Sequence, residues 1–197
     1  MFLNAPPVSE ANSALYARDA AEDGYVANFV RLWRWRPDVS DAFFNLRKLL
    51  NEQSALSLRE RSILVCAAAA SLGDSYCALA FGATLASESD PMTAAAVLQG
   101  RESEGLTPRE NSLATWARKV VREPNATTAE DVDRLRAAGL TDQEIFDVTV
   151  FIAFRLALST VNDALGACPD RQLAASVPAA VRDAVVCGRS VSEELSQ

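Results

Sequence analysis

The chain has 197 residues, a formal net charge of −7 and no histidine, and 49% of its residues are hydrophobic. This length and composition are typical of one globular domain with a hydrophobic core. The net negative charge argues against binding to nucleic acid or to an anionic membrane, because either needs a basic face. The absence of histidine excludes Ser-His-Asp and Cys-His catalysis and histidine-bearing zinc sites.

The first residues, MFLNAPPVSE, have neither a basic start nor a long apolar run, so we expect no signal peptide. No transmembrane segment is predicted, since the most apolar late run, 145–161, is interrupted by Asp147 and Arg155. The four cysteines contain no Cys-x-x-Cys pair; they are Cys66, Cys77, Cys168 and Cys187. We therefore expect reduced thiols and a cytoplasmic location, without a metal or an organic cofactor.

Residues 1–56 are predicted to form N-terminal helices of a single domain, 1–197. Pro6-Pro7 keeps the start extended, Ser9 caps a first helix that ends at Gly24, and GYVANFVRLWRWRPD begins a second. We interpret the arginines of this second segment as partners of the many carboxylates. A third helix, capped by Asp38 or Ser40, runs to Asn51, with five side chains predicted to face the core: Phe43, Phe44, Leu46, Leu49 and Leu50.

Residues 57–88 are predicted to form a core helical hairpin. Ser57 and Glu60 make a capping box, and the apolar segment 62–71 that follows should be buried on all sides. Gly73-Asp74 breaks the helix, and Asp74 caps a second helix with Cys77 in its first turn. The helix dipole there favours a thiolate, whereas an ionised Asp74 nearby opposes it.

Residues 89–197 are predicted to form the C-terminal helices. Four of them have N-terminal signals, namely Ser89 or Asp90, Thr107, Thr128 and Thr141, and the Thr141 helix ends at Gly166. One further helix is expected around 177–186, giving about eight or nine helices in all. Arg155, alone in an apolar helix, is expected to form an ion pair with a carboxylate if it is buried, with substrate binding as the alternative.

The stretch 58–86 resembles the core of the AhpD-like, carboxymuconolactone decarboxylase family, in particular its peroxidase-related branch. That branch carries a glutamate, then Cys-x-Tyr-Cys, then one or two histidines; Tyr76 and Cys77 match the second half of the cysteine motif. The remaining positions differ, with Ser62 for the glutamate, Asp74 for the first cysteine, and Ala80 and Phe81 for the histidines. The amino-acid sequence of Thr128–Ile145 also resembles the corresponding sequence of that branch.

The resemblance implies an all-α, AhpD-like bundle that forms a homo-oligomer (a dimer, trimer or hexamer). It also implies thiol-dependent peroxidase chemistry, in which one cysteine is oxidised and a second resolves it. Because the first cysteine, the glutamate and the histidines are replaced, we expect this activity to be weak or absent.

Three functions remain open from the sequence. The first is an antioxidant oxidoreductase in which Cys77 alone is oxidised and an external thiol reduces it, with Asp74, Tyr76 and Ser62 supplying hydrogen bonds. The second is a non-catalytic oligomer that binds a small molecule on the same fold. The third is a decarboxylase- or isomerase-like enzyme in which Asp74 acts as acid or base.

Overall fold

The structure, a computed structural model, describes residues 1–52 and 54–193, so Gln53 and the last four residues of the predicted domain lie outside it. The described residues form an all-α fold of eleven α-helices without a strand, which confirms the predicted fold class. The α-helices are α1 Glu10–Asp23, α2 Asn28–Trp33, α3 Pro37–Glu52, α4 Leu58–Leu72, α5 Ser75–Glu88, α6 Pro91–Leu98, α7 Pro108–Arg122, α8 Ala129–Ala137, α9 Asp142–Ala164, α10 Arg171–Ser176 and α11 Ala179–Ala184; Pro124–Ala126 adds one 3-10 turn.

The structure confirms the predicted starts of those helices that a polar side chain caps. The capping residues are Ser9, Ser57, Asp74, Asp90, Thr107, Thr128 and Thr141, and each accepts a hydrogen bond from a backbone amide of its own first turn. Glu60 completes the capping box of α4 as predicted. These signals are readable in sequence because cap and amide are only two or three residues apart.

Three predictions about the helices are wrong. The third helix begins at Pro37, ahead of both predicted caps, because proline fits the first helical turn, where its missing amide hydrogen is not needed. Leu49 does not face the core, since it is 47% exposed. The helix expected around 177–186 is present as α11, but α10 was not predicted, and the described helices outnumber the expected eight or nine.

Helix α4 is the centre of the molecule. Its residues 62–69 are all buried, and it packs against α5, α6, α7 and α9. Gly73 ends α4 in the left-handed conformation (φ 90°), and the chain then reverses into α5 as the hairpin prediction requires.

An aromatic cluster joins the N-terminal helices to α9. The Trp33 ring lies 4.8 Å from Phe43 and 5.8 Å from Phe44, and Phe43 lies 5.7 Å from Phe154 of α9, measured between ring centroids. Such ring pairs stabilise a contact beyond the area that they bury. The cluster therefore fixes α3 against α9, next to the first turn of α5. No helix in the described parts of the chain has the length and apolar content of a membrane span.

Candidate functional site

Asp74 connects the start of α5 to α9. The carboxylate is fully buried, with 0% of the residue exposed. Its Oδ1 accepts a hydrogen bond from the Cys77 amide at 3.0 Å, and its Oδ2 accepts one from the Ser159 hydroxyl at 2.5 Å. Asp74 is thus the predicted helix cap and also a link between two helices distant in sequence. A buried carboxylate is tolerated when donors surround it in this way.

The Cys77 thiol lies beside this carboxylate in a closed environment. Cys77 is 6% exposed, and its Sγ is 4.0 Å from the Ser159 hydroxyl oxygen. Burial raises the pKa of the Cys77 thiol well above its ordinary value, and the Asp74 charge raises it further. The Arg155 charge and the Ser159 hydroxyl lower the pKa without reversing this. Desolvation therefore outweighs the helix dipole, and the thiol is protonated near neutral pH.

Arg155 approaches the same place from α9, one helical turn before Ser159. Arg155 is 7% exposed, and its guanidinium carbon lies 4.3 Å from the centroid of the Phe81 ring and 5.4 Å from that of Phe151. Burial lowers the pKa of Arg155 to about 10. The predicted ion pair is wrong for the described residues, where no carboxylate pairs with Arg155 and its Nε has no hydrogen-bond partner.

Two of the four predicted site residues, Tyr76 and Ser62, form their hydrogen bonds away from Asp74 and Cys77. The Tyr76 hydroxyl donates to the Asp170 carboxylate, and the Tyr76 ring packs edge-on against Phe29 at 5.5 Å. Burial, followed by the Asp170 charge, raises the pKa of Tyr76. Ser62 is fully buried and donates to the Leu58 carbonyl of its own helix at 2.8 Å. The structure thus brings together Asp74 and Cys77, while catalytic roles for Tyr76 and Ser62 stay predictions.

Sequence reasoning missed a second group of residues around Asp74. The tail packs on the α4–α5 turn, where the Ser75 hydroxyl donates to the Arg189 carbonyl at 2.7 Å. Gly188 (φ 77°) is required there, because a Cβ at this position would lie 2.3 Å from the Gly73 carbonyl oxygen. The neighbouring Cys187 is exposed, and partial burial together with the Asp74 charge raises its pKa. In the sequence, the one indication that the tail contacts the α4–α5 turn was the glycine at position 188.

The remaining cysteines offer no metal or disulfide site. All four cysteines are free, and burial raises the pKa of Cys66, which is fully buried. Within residues 1–52 and 54–193, no group of three or more Cys, Asp or Glu side chains is arranged to hold a metal ion.

Asp163, one turn after Ser159 on α9, provides a pH-dependent test of the site. Burial and the nearby Asp74 charge raise the pKa of Asp163 to about 6. An unfolded aspartate has a pKa of about 3.9, so the folded state binds the extra proton between these values, and stability falls as pH rises through that window. We expect Asp163→Asn to raise the free energy of unfolding above pH 6 by about 1 kcal/mol, after allowance for solvent screening, and the melting temperature by about 2–4 °C.

The gain should shrink as pH falls below about 6 and disappear near pH ~3, where the carboxyl is protonated in both states. Thermal unfolding across this pH range measures it. Asp183→Asn, which changes an exposed carboxylate of α11, is the matched control and should show no such pH-dependent gain. A gain from Asp163→Asn that is equal at both ends of the range would contradict the assignment.

Comparison with known proteins shows which solved structures share the fold of this chain. No curated protein matches the chain in sequence. A peroxidase-related protein from Ralstonia eutropha JMP134 with an alkylhydroperoxidase AhpD core superposes with a TM-score of 0.77 at 24% identity, covering 87% of this chain and 93% of that chain. A peroxidase-related protein from Silicibacter sp. TM1040 gives 0.78 at 21% identity, again over 87% of this chain and 93% of that chain.

A third similar structure is a variant of the debrominase Bmp8 in complex with 2,3,4-tribromopyrrole. Its TM-score is 0.69 at 16% identity, covering 94% of this chain and 97% of that chain. These likenesses define the class of the protein as an all-α, AhpD-like fold. Residues 37–119, which include α4, α5 and both Asp74 and Cys77, match the model of the carboxymuconolactone decarboxylase family. The chain is thus similar to AhpD-like proteins in fold, and residues 37–119 are similar to the carboxymuconolactone decarboxylase family in sequence.

Proposed function

We propose that the chain is a peroxidase-related protein whose thiol peroxidase activity is weak or absent, with any residual turnover carried by Cys77. The observation that carries this proposal is the burial of the thiol: Cys77 is 6% exposed, and burial and the Asp74 charge both raise its pKa. Attack on a hydroperoxide needs a thiolate, and the rate follows the thiolate fraction.

A disulfide cycle needs a second thiol, and among the described residues no disulfide joins Cys77 to another cysteine. Asp74 occupies the position where the resembling branch has its first cysteine, and both its carboxylate oxygens are engaged in hydrogen bonds. Cys66 is fully buried in α4, so it is not available to an oxidised partner. A sulfenic acid formed at Cys77 therefore requires an external thiol for its reduction.

A hydroperoxide-consumption assay with dithiothreitol as reductant tests the proposal. At about pH 7.5, we expect the parent protein to exceed the reductant alone by no more than about tenfold, because less than about 1% of a thiol with so high a pKa is ionised. Cys77→Ser should abolish that excess, and raising the pH should increase it in the parent.

Cys168→Ser is the matched control for this assay, since Cys168 is a free, partly exposed cysteine that makes no contact with Asp74 among the described residues. It should leave consumption unchanged. Rapid turnover by the parent, or residual turnover that survives Cys77→Ser, would show that the proposal is wrong.

A second candidate is a binding protein that uses the same fold without catalysis. The observation that favours it is Arg155, which is buried and has no acidic partner in the described parts of the chain. The debrominase in complex with 2,3,4-tribromopyrrole supports it, since it shows a small planar ring bound by a protein of this fold. An acid–base enzyme that uses Asp74 has less support, because that carboxylate is fully buried and hydrogen-bonded through both oxygens.

We also propose a homo-oligomer (a dimer, trimer or hexamer) and a cytoplasmic location. Exposed apolar side chains support self-association, among them Phe146 of α9 at 67% and Met92 of α6 at 65% exposed. Four unpaired cysteines support a reducing compartment.

A further inference from the structure

A cavity between α4, α6, α7 and the segment that follows α11 is lined by two arginines and by no described acidic residue. Its volume is about 300 Å³, and its charged lining residues are Arg118 and Arg122 of α7. A wall of this kind is unexpected in a chain with 26 acidic side chains against 19 lysines and arginines. The two guanidinium groups therefore give the cavity a positive charge that no described residue of its wall offsets.

Neither arginine has a counter-charge. In the part of the chain that the structure describes, neither forms an ion pair. Arg118 donates through Nη2 to the Val97 carbonyl at 3.0 Å, which leaves its Nε and Nη1 without a described partner. Glu102 and Glu104 line a neighbouring cavity together with Arg118, yet neither is paired with it. Burial, and then the like charge of Arg122, lower the pKa of Arg118.

The two guanidinium groups are placed to hold one anion together. Arg118 and Arg122 are four residues apart on α7, so they project from the same face of the helix. Like charges at this spacing repel each other and destabilise the helix. An anion that accepts hydrogen bonds from both groups removes this repulsion.

A second cavity next to the first strengthens the positive field. It has a volume of about 330 Å³, shares Cys187 with the first cavity, and is lined by Arg182 and Arg189 but by no described acidic residue. Arg182 donates to the Ala174 carbonyl at 3.4 Å and Arg189 to the Asp163 carbonyl at 2.6 Å, and neither hydrogen bond neutralises a charge. Four positive charges around a shared wall attract small anions to it, in spite of the net charge of −7.

The rest of the first cavity suits a small organic group. Leu98, Val185 and Ala78 supply apolar surface, and the Ser71 hydroxyl and the Gln99 amide supply hydrogen-bonding groups. Small-molecule sites in proteins have volumes of about 300–1,000 Å³, so this cavity is at the lower end of that range. It therefore has room for an anionic group together with a small apolar body.

From this geometry we propose that the cavity binds a small phosphomonoester, with the phosphate on Arg118 and Arg122 and the organic group against Leu98 and Val185. A phosphomonoester carries about two negative charges near neutral pH and so matches two guanidinium groups, whereas a single carboxylate leaves one of them without a counter-charge. Its terminal oxygens accept the paired N–H donors of the guanidinium forks. This inference goes beyond the proposed function, because Cys77 does not line the cavity and binding there is independent of peroxide consumption.

Isothermal titration calorimetry of the full chain with phenyl phosphate tests the site. We expect Arg122→Met to weaken binding by about 10–100-fold, because the variant loses charge-assisted hydrogen bonds to the phosphate. Arg122 is exposed, so its replacement should leave the fold intact. Benzoate, which has the ring but a single charge, and inorganic phosphate, which has the charge but no ring, should each bind at least about tenfold more weakly than phenyl phosphate.

The Cys187 thiol reports where the ligand binds, since it is exposed and lines the cavity. At about ten times its dissociation constant, phenyl phosphate should slow the alkylation of Cys187 by iodoacetamide about tenfold, because about one site in ten stays empty. Cys168, which is also free and lies outside the cavity, should react at an unchanged rate. Peptide mass spectrometry measures the two rates separately.

Arg171→Met is the matched control. Arg171 of α10 is exposed, lies outside both cavities and forms no ion pair with a described residue, so its replacement should keep the parent affinity. The proposal is overturned if phenyl phosphate does not bind, or if Arg122→Met binds it as tightly as Arg171→Met does. It is equally overturned if benzoate or inorganic phosphate binds as tightly as phenyl phosphate, or if bound phenyl phosphate leaves the alkylation of Cys187 unchanged.

Discussion

Replacing Asp74 by asparagine is expected to raise the alkylation rate of Cys77 about tenfold at about pH 7.5. The Asp74 charge raises the pKa of the thiol, whereas Arg155 lowers it. Loss of the carboxylate charge leaves the cation unopposed, and a fall of about one unit in the pKa increases the thiolate tenfold. Alkylation with iodoacetamide as a function of pH, with Cys77 identified by peptide mass spectrometry, measures the change.

The asparagine variant should keep the fold. Its amide oxygen can accept the bond from the Cys77 backbone, and the Ser159 hydroxyl can rotate to accept from the amide nitrogen. Asp74→Ala loses both bonds and should lower the free energy of unfolding by about 2–4 kcal/mol. Comparing the two variants separates the effect of charge on the thiol from the effect of capping on stability.

Asp163→Asn serves as the matched control for charge, since it removes a neighbouring carboxylate that makes no hydrogen bond to Cys77. It should change the alkylation rate of Cys77 far less than Asp74→Asn does. An unchanged or slower rate in Asp74→Asn would show that access to the buried sulfur, and not its ionisation, limits the reaction.

Replacing Gly82 by alanine is expected to lower the free energy of unfolding by about 2–3 kcal/mol and the melting temperature by about 5–10 °C. Gly82 lies where α5 meets α11, and an added Cβ would lie 2.5 Å from Val181 Cγ1 and 3.1 Å from Leu98 Cδ1. Val181 is fully buried, so its side chain has no free space into which to move. The overlap outweighs the gain in helix propensity from glycine to alanine, which is about 1 kcal/mol.

A double-mutant cycle with Val181→Ala checks the cause. Val181→Ala alone leaves a cavity and should cost about 1–2 kcal/mol. In the double variant the alanine methyl at position 82 occupies the space of the lost valine methyl, so the two costs should fall short of their sum by about 1–2 kcal/mol. Additive costs, measured by chemical denaturation, would place the strain of Gly82→Ala elsewhere.

The helical framework was largely predictable from the sequence. Ser57, Thr107, Thr128 and Thr141 cap helices as expected, because a cap and the amide that it binds lie within one turn of chain. The apolar segment 62–71 likewise indicated the central helix. Where a prediction failed, as for Leu49, the local pattern was apolar but the tertiary structure left that face of α3 uncovered.

The sequence alone also determined that no histidine acts here and that Asp74 and Cys77 lie together at a helix start, since both follow from residue identity and short spacing. Only the tertiary structure decided that Ser159 bonds Asp74 across 85 residues, that burial outweighs the helix dipole at Cys77, and that Arg155 is buried without the expected carboxylate. These outcomes depend on desolvation and on which distant helices meet, and local sequence patterns specify neither.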